Sequence, residues 1–349
     1  MKASLSYREM NNKFIRIIPG VLICLLIAVP SWIIGRMIPI VGPAIISIAI
    51  GIAIASIFPG LIDNQKIHFA DGIKTTSKKL LQFSIILLGF EMNFFNIIRV
   101  GGQSLLIMIF TLATAFIAAI IFGKLLKLSG DTTTLIGVGT AICGGSAIAA
   151  TAPVIRAKDE DVARAISTIF LFNIIAVFIF PLLGHLLGMN DEQFGLWAGT
   201  AINDTSSVVA SSTSWSIAEG NNNALQMATI VKLTRTLMIV PVTLFLAFYT
   251  SRKQKIVGES GYKLAKIFPW FVLFFVLAAV INTVFSLPSE LSGSLASIGK
   301  FVIVMAMAAI GLNTNIKSLF AKGYKSLLLG LFCWFSLATV SVIIVKVFC

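Results

Sequence analysis

The chain has 349 residues, of which 57% are apolar and only 12% are charged. Soluble globular domains carry about 25% charged residues, so this composition excludes most cytosolic enzymes, DNA-binding modules and secreted disulfide scaffolds. The net charge of +13 fits lysines and arginines that collect in the cytoplasmic loops of a membrane protein. No nucleic-acid partner is therefore expected.

Apolar segments follow one another along the whole chain, and most are long enough to cross a hydrocarbon core of roughly 30 Å. They cover residues 14–35, 40–59, 79–98, 103–123, 134–155, 165–188, 194–213, 224–249, 267–287, 298–312 and 326–348. The sequence predicts an all-α polytopic membrane protein with about 9–11 membrane segments. We expect a single transmembrane domain over 1–349 and no soluble domain.

The fifth and seventh segments, 134–155 and 194–213, differ from the others because they are rich in Gly, Ser and Thr. The seventh also carries Asp204, a residue that is costly in hydrocarbon. Non-helical backbone at membrane depth is tolerated only where it is buried in protein or lines a wet cavity. Both segments are predicted to be broken or re-entrant, with close packing of ordinary helices through small residues as the alternative.

The two segments also resemble each other. Gly139-Thr-Ala-Ile aligns with Gly199-Thr-Ala-Ile, and the same alignment brings Ser146 opposite Ser206. A second match pairs Gly89 and Asn93 with Gly311 and Asn315. Internal duplication is common in secondary transporters, so we predict inverted-repeat halves at about 14–188 and 194–349.

Loop charge tests how the segments cross the membrane. A basic N-terminus placed in the cytoplasm also puts the basic loops 60–78, 250–266 and 313–325 inside. If every segment crosses, the basic loop at Arg156 lies outside and the acidic loop at Asp191 lies inside. If the fifth and seventh segments are re-entrant hairpins, the loop at Arg156 moves to the inside and the loop at Asp191 to the outside, and no other loop changes sides. Charge favours hairpins, and broken helices that cross fully are the alternative.

The eighth segment contains two cations, Lys232 and Arg235, within an apolar stretch. They lie ~12 and ~16 Å into a helix, near the midplane, and their spacing of three places them on one face. Intramembrane charges usually face a partner or a transport pathway. The alternatives are a structural ion pair with Asp204 and snorkelling to the interface.

Two cations against one buried carboxylate leave a positive excess, and helix N-termini at hairpin tips attract anions. The sequence therefore predicts a small anion between the tips and the eighth segment, with glycines at the first tip that allow close approach of the backbone. The predicted binding residues are Gly144, Gly145, Ser146, Thr205, Ser206, Ser207, Lys232 and Arg235. Asn203 and Asp204 are predicted to couple transport to a driving ion.

No catalytic motif is present, so we do not expect an enzyme, a metal site or a cofactor. The four cysteines, Cys24, Cys143, Cys333 and Cys349, show no spacing typical of a zinc site or a disulfide framework.

Four stretches carry a family resemblance. They are Ile86-Leu-Leu-Gly-Phe, Ala141-Ile-Cys-Gly-Gly-Ser-Ala-Ile-Ala-Ala-Thr-Ala-Pro-Val, Lys232-Leu-Thr-Arg and Met305-Ala-Met-Ala-Ala-Ile-Gly-Leu. With them the chain resembles the YeiH family, also called the putative sulfate exporter family, over nearly its whole length. The resemblance implies a bacterial inner-membrane transporter of an anion. The wider superfamily implies two bundles of inverted repeats whose broken helices usually cross.

The chain departs from that family in the seventh segment, where members often read Gly-x-x-x-His-Glu-x-x-Gln. The carboxylate carries over to Asp204, but this chain has neither the His nor the Gln. The resemblance therefore does not imply proton coupling through a histidine here.

These observations predict a secondary active transporter of a small anion, such as sulfate or a sulfonate, that exports it by alternating access from the bacterial cytoplasm. The alternatives are a sodium-coupled importer of an organic anion on the same scaffold, an anion channel and an intramembrane enzyme. The expected partners are the anionic solute, the lipid bilayer and a coupling ion, either proton or sodium. A homodimer is left open.

Overall fold

The computed structural model describes residues 2–38, 42–58, 69–254, 269–314 and 323–348. These residues form helices and no strand, which confirms the all-α prediction. The α-helices are α1 (Lys2–Met37), α2 (Gly42–Ile57), α3 (Phe69–Thr75), α4 (Leu81–Gly89), α5 (Phe94–Leu125), α6 (Gly130–Ala141), α7 (Gly145–Ile155), α8 (Asp159–Leu186), α9 (Asp191–Ala201), α10 (Thr205–Ala218), α11 (Asn223–Leu237), α12 (Ile239–Gln254), α13 (Trp270–Phe285), α14 (Ser289–Leu312) and α15 (Tyr324–Phe348). A π-helix, Thr76–Leu80, joins α3 to α4.

Six helical stretches in the described part of the chain are long and apolar enough to cross a membrane. They are Arg16–Met37, Phe94–Leu125, Glu160–Leu186, Asn223–Thr250, Ser289–Leu312 and Tyr324–Val347. Gly42–Ile57, Gly145–Ile155 and Trp270–Phe285 are shorter apolar helices. The chain is therefore a polytopic membrane protein.

The predicted break between the third and fourth segments is wrong. The sequence suggested one segment at 79–98 and another at 103–123, but α4 ends at Gly89 and α5 already begins at Phe94. Residues 90–93 form a turn between them. The prediction failed because the apolar residues that open α5 continue the hydropathy of the preceding segment, and hydropathy alone does not show where the backbone turns.

The chain divides into two compact units. The first comprises Met1–Asn93, Thr213–Gly220 and Phe274–Ile316, and its described residues include no predicted site residue. Here α2 packs tightly on α14, since a Cβ on Gly51 would lie 2.6 Å from the Ala308 carbonyl oxygen. The Ser47 hydroxyl donates to the Val304 carbonyl at 2.8 Å. Small residues allow this close approach, as is common between membrane helices.

The second unit comprises Phe94–Ser212, Asn221–Leu273 and Lys317–Cys349, and it includes every predicted site residue. Its fifth apolar segment is a hairpin. The Thr132 hydroxyl, near the start of α6, donates to an Asp161 carboxylate oxygen at 2.5 Å, near the start of α8. Further along, Gly139 lies against Ile169, so α6 and α8 run in the same direction.

Helix α7 joins the end of α6 to the start of α8, and it must therefore run back beside α6. Contact across the turn agrees with this, because a Cβ on Gly139 would lie 2.9 Å from Ile148 Cδ1. We call α6, α7 and the intervening residues 142–144 hairpin 1, with 142–144 as its tip.

The seventh segment has the same form. The side-chain amide of Asn223 donates to an Asp191 carboxylate oxygen at 3.4 Å, which places the starts of α9 and α11 together. Gly195 then lies against Met227, and Gly199 against Val231, so α9 and α11 also run in the same direction. The chain between Ala201 and Asn223 must return to the start of α9, and α10 is the helix in that stretch. We call α9, α10 and residues 202–204 between them hairpin 2, with 202–204 as its tip.

The two hairpins enter from opposite ends of α8. Hairpin 1 ends just before α8 begins, and hairpin 2 begins after the four residues 187–190 that follow α8. With 28 residues, α8 is about 42 Å long, enough to span a bilayer. The contacts confirm the hairpins that loop charge favoured and replace the crossing helices implied by the family resemblance. Of the predicted basic loops, residues 60–68, 255–266 and 315–322 lie outside the described residues. Residues 69–78, predicted as part of the first loop, are helical, in α3 and the π-helix.

Candidate functional site

Two buried cations on α11 hold the hairpin tips together. Lys232 and Arg235 are both fully buried, at 0% exposure. The Lys232 ammonium donates to the carbonyl of Ile142 at 2.8 Å and to that of Ile202 at 3.0 Å. One cation therefore joins the ends of α6 and α9, which belong to different hairpins.

Arg235 makes the same connection with three hydrogen bonds. Its Nε donates to the Ala141 carbonyl at 2.7 Å. Its two terminal nitrogens donate to the carbonyls of Thr140 and Thr200. These carbonyls belong to the last turns of α6 and α9, where a helix leaves its acceptors unpaired and carries partial negative charge. The two cations thus cap two helix C-termini at once.

Neither alternative structural role weighed for these cations is seen. They do not snorkel, since both side chains are fully buried. The ion pair with Asp204 is not formed either. Arg164 and Glu160, by contrast, do form an ion pair, and it lies at the surface. Main-chain carbonyls take the place of the carboxylate, and they stabilise the buried charges through hydrogen bonds and helix dipoles.

Asp204 instead caps the start of α10. One of its carboxylate oxygens accepts from the backbone N–H of Ser206 at 3.0 Å and from the hydroxyl of Ser206. An aspartate at the N-terminus of a helix satisfies backbone donors that have no partner within the helix, and its charge complements the dipole. The backbone N–H of Asp204 donates to the side-chain oxygen of Asn173 at 3.1 Å.

Gly144, in the tip of hairpin 1, precedes α7 as Asp204 precedes α10, and it lies next to Asp204 and Asn173. A Cβ at Gly144 would lie 3.4 Å from Asn173 Nδ2 and 3.4 Å from Asp204 Cβ. Its φ of +68° with ψ of −131° is a backbone conformation that only glycine adopts readily. Gly145 differs, since a Cβ there would meet nothing within 4 Å. The expected need for glycine is therefore supported at Gly144, while Gly145 shows no steric reason for it.

The remaining predicted residues line the starts of α7 and α10. Ser146 is exposed, Thr205 is half-buried, and Ser206 and Ser207 are buried. The most unusual is Asn203, which is fully buried while neither its amide nitrogen nor its amide oxygen has a hydrogen-bond partner. Buried polar groups are nearly always paired, so an unpaired amide at a hairpin tip suggests a ligand that completes it.

Asn173 and the carbonyls that hold the cations were not among the predicted site residues. Asn173 is 3% exposed on α8 and bonds tip 2 directly. A single Asn within the apolar run Phe170-Leu-Phe-Asn-Ile-Ile was the available signal, since polar residues inside membrane helices are commonly functional. Main-chain acceptors leave no such mark in a sequence. No group of three His, Cys, Asp or Glu residues able to hold a metal was found in the described part of the chain.

Comparison with known proteins places the chain in a family. Residues 19–330 match the family model described as "Conserved hypothetical protein 698". A UPF0324 membrane protein of Streptococcus pyogenes serotype M18 is 51% identical over 94% of this chain and 96% of its own. A UPF0324 membrane protein of Streptococcus agalactiae serotype V is 48% identical over 93% of this chain and 95% of its own. A UPF0324 membrane protein of Fusobacterium nucleatum is 46% identical over 97% of this chain and 99% of its own.

No solved structure matches the chain. The description of the family and the names of these relatives give no transported solute, so the sulfate export implied by the YeiH resemblance stays a prediction. The matches extend over nearly the full length of both partners, including both hairpins and α11. The chain belongs to the UPF0324 family of membrane proteins.

Proposed function

We propose that this protein is a secondary active transporter of a small anion, held between the tips of hairpins 1 and 2. One observation carries the proposal: two re-entrant hairpins from opposite ends of α8 meet at Lys232 and Arg235. Broken or re-entrant segments that meet near the midplane are typical binding sites of secondary transporters, because each tip can open to one side of the membrane.

Charge at the tips favours an anion. Two helix C-termini and two helix N-termini meet there, and each carries about half a charge of the respective sign, so their contributions nearly cancel. The side chains that remain are Lys232 and Arg235 against Asp204, an excess of one positive charge. Lys232 uses two of its three N–H groups and Arg235 three of its five on the carbonyls. Their remaining donors and charge stabilise a bound anion.

Asp204 is the coupling group in this proposal. It caps α10 in the site where the anion binds, so anion binding brings a second negative charge close to its carboxylate. A proton or a sodium ion taken up with the anion offsets that repulsion. The transporter lies in the bacterial cell membrane with its N-terminus in the cytoplasm, which places the basic loop at Arg156 inside, and it exports its substrate by alternating access.

A sodium-coupled importer on the same scaffold is the second candidate, favoured by one observation. The unpaired side-chain oxygen of Asn203 lies one residue from the Asp204 carboxylate, and amide and carboxylate oxygens are the ligands that hard cations prefer. Both candidates use the same tips and differ in the coupling ion and in direction.

Counterflow in proteoliposomes tests the proposal. The purified protein is reconstituted, the vesicles are loaded with one unlabelled anion, and entry of the same anion in labelled form is followed. Sulfate, taurine, acetate and short dicarboxylates are tested in turn, each with the others as competitors. We expect saturable uptake that internal anion accelerates and a competitor abolishes. If proteoliposomes take up each anion in the panel no faster than protein-free vesicles do, the protein is not a transporter of these anions. Non-saturating flux without counterflow would indicate a channel, and a strict sodium requirement would favour the second candidate.

A further inference from the structure

Two pairs of residues at the ends of α6 and α9, spaced by 60 in the sequence, have equivalent hydrogen-bonding roles. Thr140 and Thr200 both give their carbonyls to Arg235, and Ile142 and Ile202 both give theirs to Lys232. The alignment seen in the sequence is therefore also an alignment of hydrogen-bonding roles. Two residues beyond Ile142 and Ile202, the same alignment places Gly144 opposite Asp204. Four residues beyond them, it places Ser146 opposite Ser206.

This equivalence breaks down at the helix starts. In hairpin 2 the Asp204 carboxylate occupies the N-terminus of α10, and Ser206 donates to it with both its N–H and its hydroxyl. In hairpin 1 the residue opposite that aspartate is a glycine, and α7 has no side-chain cap. Ser146 is exposed, and no described group accepts a hydrogen bond from it. The N–H of the next residue, Ala147, faces Cys143.

Residue 144 cannot supply the missing carboxylate. Its φ of +68° disfavours any residue with a side chain. No side chain in the described part of the chain caps α7, so a bound ligand is the natural source of an anionic group there. A second observation points to a ligand at this place. Asn203, fully buried, has an unpaired amide one residue from Asp204, and Asp204 Cβ lies 3.4 Å from where a Gly144 Cβ would be.

We propose that the start of α7 binds a singly charged oxyanion group of the substrate, a carboxylate or a sulfonate, in the manner in which α10 binds the carboxylate of Asp204. Ser146 donates its N–H and its hydroxyl to this group, and the amide of Asn203 supplies a further donor. The substrate is thus a small organic acid that presents one such group. This inference rests on the proposed transport function and assigns the anion to one of the two tips.

The charge of the group follows from its neighbour. Asp204 already occupies the equivalent place in hairpin 2, so a doubly charged head would face a carboxylate across the tip. Lys232 and Arg235 together exceed Asp204 by one charge, which one carboxylate or sulfonate neutralises. A substrate with a single negative charge on its oxyanion group therefore fits best, and sulfate fits less well than a sulfonate.

Substitutions at Ser146 test the assignment in the full-length protein purified in detergent. The probes are sodium acetate and sodium methanesulfonate, against sodium chloride at the same ionic strength, with the thermal midpoint as the readout. We expect at least one of the two oxyanions to stabilise the wild-type protein and chloride not to do so. Ser146→Ala should weaken the apparent affinity about five- to tenfold, the effect of one lost hydrogen bond.

Ser146→Asp supplies a carboxylate of its own at the start of α7. An acidic residue in the first turn of a helix is favourable, so the ligand-free midpoint should stay the same or rise. The response to both probes should disappear, while the matched neutral variant Ser146→Asn should keep a weakened response. If Ser146→Asp still responds with wild-type affinity, the assignment to α7 is wrong. Should the aspartate variant fail to fold, wild-type affinity in Ser146→Ala would overturn the assignment independently.

The inference and the proposed function fail on different results. A wild-type protein that shows sulfate counterflow but no response to either monovalent probe overturns the inference and leaves the transporter standing. Wild-type counterflow in Ser146→Asp has the same meaning. Absence of counterflow for every anion in the wild-type protein overturns the proposed function itself.

Discussion

Arg235→Ala should destabilise the protein strongly, because Arg235 is the hydrogen-bond partner of three main-chain carbonyls in two different hairpins. The substitution leaves the carbonyls of Thr140, Ala141 and Thr200 without this donor, in a site where the arginine is fully buried. An unpaired buried polar group costs about 1–3 kcal/mol, so the free energy of unfolding should fall by roughly 3–9 kcal/mol. The cavity left by the side chain adds to this loss.

Arg235→Lys separates charge from geometry. The lysine keeps the positive charge near the ends of α6 and α9, but a single ammonium cannot reproduce the planar fork that reaches three carbonyls. One or two carbonyls should lose their donor, at a cost of about 1–6 kcal/mol by the same reasoning. The expected order of stability is therefore wild type, Arg235→Lys, Arg235→Ala.

Thermal unfolding in detergent, followed by loss of helical circular dichroism, measures the effect. A loss of about 3 kcal/mol should lower the midpoint by at least several degrees. Arg164→Ala is the matched control, since it removes an arginine of the same unit whose ion pair with Glu160 is at the surface and contributes less than about 1 kcal/mol. If Arg235→Ala unfolds within 2 °C (a threshold of about 1 kcal/mol) of that control, Arg235 does not hold the tips together, and its guanidinium would have to be free for substrate.

Three further predictions concern the tips and their bases. Gly144→Ala should destabilise by roughly 1–3 kcal/mol because of its backbone conformation, whereas Gly145→Ala should be neutral, and thermal midpoints of the two variants compare them directly. Asn203→Leu removes a buried unpaired amide, so it should raise the midpoint of the ligand-free protein by a few degrees and abolish its response to the stabilising oxyanion; a destabilised variant with an unchanged response would contradict this. In a background without native cysteines, Lys124→Cys and Lys158→Cys should both resist an impermeant maleimide added to intact cells, while Leu187→Cys should be labelled; labelling of Lys158→Cys but not Lys124→Cys would mean that hairpin 1 crosses the membrane.

Loop charge and composition are sufficient to predict the hairpins. Gly, Ser and Thr are concentrated in 134–155 and 194–213, and only hairpins in both segments put the basic loop at Arg156 and the acidic loop at Asp191 on the sides expected from the charge rule. The start of α10 also leaves a signal, because an Asp followed by Thr and Ser before an apolar run is a common helix start. The prediction assigns these residues to a binding site and misses the helix cap that Asp204 forms.

The partners of Lys232 and Arg235 could not be predicted. Hydropathy shows that two cations lie near the midplane, and a carboxylate such as Asp204 is the acceptor that a sequence makes visible. The acceptors in the structure are main-chain carbonyls, which every residue has. They lie at the ends of two helices, 90 and 30 residues before Lys232 in the chain. Only the tertiary arrangement brings them to Lys232, so a local sequence pattern cannot predict the contact.

The bonds from α11 to hairpin 1 have a consequence for biogenesis. Arg235 follows the Ala141 carbonyl by 94 residues, so at a synthesis rate of about 5–20 residues per second, hairpin 1 enters the membrane roughly 5–20 s before its donor is made. During this interval the end of α6 has to be kept satisfied by water or by the insertion machinery. A nascent chain arrested before α11 would therefore expose unpaired carbonyls at membrane depth, which makes α11 the step at which both hairpins become committed to the bilayer.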